Sequence, residues 1–124
     1  MNVIRGFVLL GTGFLVIGIV FGMYMGGSGD TRFAPLHAHL NLLGFVLSMI
    51  FAFAYHLFPA MLGRMATAHF WLHAIGAAVL LFMLFLLLSG RIGEAAMAPI
   101  APIAELAVLV GVILFLLGAI RHVR

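Results

Sequence analysis

Four stretches of almost unbroken apolar residues divide the chain, at about residues 6–27, 35–59, 67–89 and 101–120. Between them lie "GGSGDTRFAP", "PAMLGRMAT" and "SGRIGEAAMAPIAP", which are polar or rich in helix-breaking residues. Each stretch is close to the ~20 residues that a helix needs to span the hydrocarbon core of a bilayer. Pro35, Pro59, Pro99 and Pro102 all stand at segment edges, where helices start or stop. The pattern predicts an all-α fold, a single integral membrane domain over residues 1–124 built as a bundle of four transmembrane helices. A cleavable signal peptide is the poorer reading of the first stretch. Its apolar run is too long, and no small-x-small cleavage pattern follows it.

Composition removes the soluble alternatives. The chain is 66% hydrophobic and 7% charged, where a soluble domain carries roughly a quarter charged residues. There is no cysteine, so disulfides and thiolate metal sites are excluded. The net charge of +3 comes from arginines scattered at segment ends, which is a topology signal and not a nucleic-acid patch. Arg5, Arg64, Arg121 and Arg124 share one side with the middle loop, and Arg32 and Arg91 lie on the other beside Asp30 and Glu94. Both termini are therefore expected in the cytoplasm. That orientation puts His37 and His39 at the outer end of the second helix. It puts His56, His69 and His73 toward the inner ends of helices 2 and 3, and His122 in the tail.

In lipid, close helix contact comes from small residues and interhelical polar bonds. Gly18, Gly22 and Gly26 recur every four residues on helix 1, with Gly11 a heptad earlier, as a smooth stripe for another helix of the chain or a second subunit. On helix 2, His37, Asn41, Gly44, Ser48, Ala52 and Tyr55 fall within roughly 80° of one another at about 100° per residue. This stripe should face protein. His39 projects the other way, with Val46, Ile50, Phe53 and Leu57, so a regular helix cannot bring both histidines to one buried metal. His69, His73 and Gly76 share a face of helix 3. Gly44 and Gly76 each follow a histidine by seven residues, a spacing that suits either helix packing or a porphyrin laid against the backbone.

Ionisable residues inside a membrane are costly and mark functional sites by default. Neutral imidazole is a common metal ligand, and histidine holds haem iron. Depth separates the candidates: His37 and His56 are roughly 28 Å apart at about 1.5 Å per residue. The expectation is an inner site of His56, His69 and His73, and an outer site on His37 with His39. The outer site would need a ligand from another subunit, or from Met23, Met25 or Glu105. Glu105 reads either as a first-turn acid facing the helix dipole or as a partner that orients a histidine. Asn41 is the other candidate for that orienting role.

"PLHAHLNLLGFVLSMIFAFAYHLFPAM", followed by "AHFWLHAIGA", resembles helices 2 and 3 of subunit I in the haem–copper oxidase and nitric oxide reductase superfamily. A fainter likeness joins "HAH" to the "HAHE" segment of the nitric-oxide-response membrane proteins. The resemblance covers less than half of the chain. It implies that His37, at the opening of helix 2, ligates a low-spin haem, in a bacterial inner membrane. The family's catalytic copper or non-haem iron ligands lie on later helices with no counterpart here, so no catalytic residue carries over.

Three functions follow as expectations. The first is a small membrane protein holding haem b, homo-oligomeric, for electron transfer or for binding a small gas such as nitric oxide or oxygen. The second is copper handling by Met23, Met25, His37 and His39, a soft-plus-imidazole set. The third is an accessory subunit or assembly factor within a larger membrane complex.

Overall fold

The computed structural model describes residues 2–123; Arg124, counted above in the charge asymmetry, lies outside them. Four helices are long and apolar enough to cross a membrane: α1 (Val3–Ser28), α2 (Ala34–Leu57), α3 (Arg64–Leu88) and α4 (Ala101–His122). Among the described residues there is no strand. A single 3₁₀ turn, Pro59–Met61, joins α2 to α3, and a short turn of helix, Glu94–Met97, precedes α4.

The helix ends follow from capping chemistry that hydropathy does not register. The Asn2 side chain accepts the Arg5 backbone N–H at 3.0 Å, so α1 starts at Val3 and not near residue 6. Gly29, at φ 71°, closes α1 by donating its N–H to the Met25 carbonyl. In the loop that follows, Asp30 Oδ1 accepts the Arg32 backbone N–H, the Arg32 guanidinium lies against both carboxylate oxygens, and the Tyr24 hydroxyl donates to Oδ2. α3 begins at Arg64, ahead of the expected residue 67, after Gly63 and with no side-chain cap.

The second helix is not regular. Ala34–His39 is α-helical, but Leu40–Val46 widens into a π-helix, in which the Leu47 N–H bonds the Leu42 carbonyl five residues back. The helix returns to α from Leu47 to Leu57 and stops before Pro59. Its two faces keep the expected division. Gly44, Ser48, Ala52 and Tyr55 are buried and His37 and Asn41 half-buried, while His39, Val46, Ile50, Phe53 and Leu57 are exposed.

α1 packs on α2, α3 packs on α4 along most of its length, and α1 and α2 meet α3 to join the pairs. Val3, Met61, Ala66 and Ala119 gather at one end, so both chain ends lie beside the connection between α2 and α3. Phe33, Leu36, Leu81, Phe85 and Leu88 gather at the other end, beneath the loop that follows α1. The first is the terminal end of the bundle and the second its loop end.

The contacts are made by glycines. A Cβ on Gly18 would stand 2.5 Å from Asn41 Oδ1, one on Gly22 2.9 Å from His37 Cε1, and one on Gly11 3.0 Å from Ser48 Cβ. Gly11, Gly18 and Gly22 therefore serve packing within the chain, whereas a Cβ on Gly26 would meet nothing within 4 Å. On the other pair, Gly111 of α4 lies against His69 and Leu72. Between 17% and 33% of each span's most apolar window is buried within the bundle, so most of its apolar surface faces outward, as for helices solvated by lipid.

Candidate functional site

The six histidines separate into three environments. At the loop end, His37 lies in the α1–α2 contact, where its Nδ1 is 2.7 Å from the Gly18 carbonyl oxygen. A carbonyl only accepts, so Nδ1 carries the proton and Nε2 the lone pair. The Asn41 amide donates to that Nε2 at 3.2 Å, which leaves Asn41 Oδ1 buried without a partner. The ring is held by α1 on one side and by its own helix on the other.

His39 has the same tautomer in the opposite setting. Its Nδ1–H donates to the Pro35 carbonyl, one turn back, at 2.7 Å. The side chain is exposed, and among the described residues nothing hydrogen-bonds its Nε2. Ala38, Leu42, Leu43, Val46 and Leu47 form with it a shallow depression of about 380 Å³ on the outer face of α2. His39 is the only polar side chain in that wall.

In the terminal half, His69 and His73 are both 0% exposed. The Tyr55 hydroxyl and His69 Nδ1 share a hydrogen bond of 2.8 Å, and Ser48 Oγ lies 3.3 Å from His73 Nε2. Each bond runs from α2 to α3. The rings sit in an aromatic box: Phe51 meets His69 edge-on at 4.4 Å, and Phe7 and Phe115 pack against the same ring. His69 Nε2 and His73 Nδ1 have no hydrogen-bond partner. The two rings are 6.2 Å apart between centroids. Such bonds in an apolar interior fix how α2 and α3 face each other.

Several expected placements change. His56 is exposed on the last turn of α2, so the inner trio of His56, His69 and His73 does not assemble. Depth along the helix brings His56 level with the pair, but it follows buried Tyr55 by one residue and is turned about 100° away. His122 is exposed on α4. Neither glycine leaves space for a porphyrin. Phe14 fills the notch at Gly44, where its Cβ would stand 2.6 Å from a Cβ added to the glycine, and the Ala104 carbonyl and Val108 fill the notch at Gly76.

Glu105 is exposed on α4 and makes no hydrogen bond to a histidine among the described residues. Met23 is 72% exposed, whereas Met25 packs inward with Phe33 and Leu36. The Met and His pairs are thus each divided between two faces of their helix, and the copper set does not converge. Among the described residues no three His, Asp or Glu side chains come together as a metal site. Asn41 does contact His37, as an orienting partner would.

In the sequence, Ser48 and Tyr55 are legible only as members of a small and polar stripe. Their seven-residue spacing on α2, against His69 and His73 four apart on α3, is the signal that pairs them.

No protein-family model matches the chain, and no curated protein or solved structure matches it. The functional reading therefore rests on these side chains.

Proposed function

We propose that this chain is a small b-type haem protein of a bacterial inner membrane, with both termini cytoplasmic, serving electron transfer or the binding of a small gas. One observation carries the reading. Both loop-end histidines spend Nδ1–H on a backbone carbonyl, at 2.7 Å each, which puts the lone pair on Nε2. Metal-binding histidines are oriented in this way, the second nitrogen donating to a carbonyl or carboxylate that fixes the tautomer and raises ligand basicity.

The two rings differ in what Nε2 is free to do. The family resemblance points to His37, but its Nε2 already accepts from Asn41 and the ring abuts Gly22. His39 offers an unengaged Nε2 beside an apolar seat. Geometry favours His39 as the ligand, with His37 and Asn41 holding the start of α2 against α1. Haem, when bound, would supply a one-electron couple or a site for a small gas such as nitric oxide or oxygen.

Haem titration of the purified chain in detergent, followed by visible absorption, tests the reading. Wild type is expected to give a shifted, saturable Soret band. His39→Ala is expected to lose the saturable band, and His37→Ala to keep it. A wild-type spectrum indistinguishable from free haem overturns the proposal. Loss in His37→Ala with retention in His39→Ala returns the ligand role to His37.

A further inference from the structure

We propose that the haem lies between two copies of this chain, each contributing His39, so that both axial positions are taken by protein. Resting on the haem reading above, this names the partner of the same site: a second copy.

The first ground is that, among the described residues, His39 has no histidine counterpart within its own chain. His37 is turned into the α1–α2 contact, and His69 and His73 are enclosed in the aromatic box. His56 is 17 residues further along α2, roughly 25 Å at about 1.5 Å per residue. His122 sits on the last turn of α4, at the terminal end. Asp30 is engaged by Arg32.

The second ground is the surface around the ring. Ala38, Leu42, Leu43, Val46 and Leu47 make an apolar, uncharged seat, and Ile50 and Phe53 continue the exposed face along α2. The Nε2 lone pair is exposed on this seat with nothing bonded to it among the described residues, so it is free to take a ligand. No charged side chain stands in the seat to repel an identical surface.

The third ground is symmetry. A two-fold interface sets the same patch against itself, so one ligand per chain becomes two facing ligands about the axis. A chain with a single outward histidine then satisfies both sides of a metal centre. With both axial positions filled, a gas has no place to bind. The protein is then an electron-transfer protein.

The test is haem titration of the full chain in detergent, with particle mass measured at each point and carbon monoxide added to the reduced end-point. One haem per two chains, a mass change from one copy to two, and no spectral change with carbon monoxide are expected. His39→Ala should abolish both the tight binding and the haem-driven pairing. Because His39 bonds only its own helix, the helical circular dichroism of that variant should match wild type. His39→Met, which keeps an axial ligand, should restore pairing with altered bands. One haem per single chain, or a carbon monoxide complex at full occupancy, overturns the shared site and leaves the haem reading standing. Absence of any haem binding by wild type overturns both.

Discussion

Neutral imidazole carries one N–H and one lone pair, so whatever takes the proton decides what the other nitrogen can do. In His37 and His39 the proton goes to a carbonyl, and only the neighbours of Nε2 distinguish the two. In His69 and His73 one nitrogen of each ring bonds across to α2 and the other meets no partner. Replacing Tyr55 by Phe keeps the ring in the box and removes one interhelical bond. It is expected to cost about 0.6 kcal/mol in detergent unfolding, the average for such bonds in a membrane bundle, and no more than about 1.7 kcal/mol. Retained stability would show that the box holds the rings by shape alone. At the loop after α1, the Asp30 carboxyl is held below its usual 3.8, first by the Arg32 backbone N–H and further by the guanidinium and the Tyr24 hydroxyl, against some desolvation. A depressed value means that the contact is present at neutral pH and is lost only as pH falls through the lowered value. The Arg32 amide signal should therefore move with a midpoint below the usual 3.8; a midpoint above it would contradict the placement.

At the scale of elements, glycine spacing decides which helices approach. Gly18→Ala drives a methyl to within 2.5 Å of Asn41 Oδ1, whereas Gly13→Ala meets nothing within 4 Å. The first should destabilise by about 1–3 kcal/mol and the second should not. Equal effects would show that α1 is not seated as described. The π segment makes a second test. Deleting Leu42 removes the extra residue of the wide turn, and α geometry then leaves Ala34–His39 near its present rotation relative to Ser48 and Tyr55. The expected outcome is a retained His37–Gly18 contact with helix content unchanged. Loss of that contact would show that the π turn itself sets the histidine positions. The polar and apolar faces of α2 are legible in the sequence because burial selects residue type on each face. The π turn is not, because side-chain polarity does not encode which carbonyl a backbone N–H reaches. His56 shows the same limit from another side: hydropathy gives its depth, while its direction depends on its neighbour Tyr55 being the residue that packs inward.

For the whole molecule, four apolar spans are legible because a bilayer demands length and apolarity of every helix that crosses it. Which helix meets which is less so, since contact depends on single glycines: Gly76 looks as open to a porphyrin as to α4 in the sequence, and α4 occupies it. The outward direction of His39, opposite the packed stripe, is readable from spacing alone, and its unengaged Nε2 is what the structure adds. An accessory role in a larger complex would use the same exposed surface, so cofactor content separates the readings. The most direct measurement is a reduced-minus-oxidised absorption spectrum of the purified, haem-supplemented protein. A sharp α band and a shifted Soret band are expected, and both should disappear in His39→Ala. A flat difference spectrum from folded, fully supplemented wild type would contradict the haem reading.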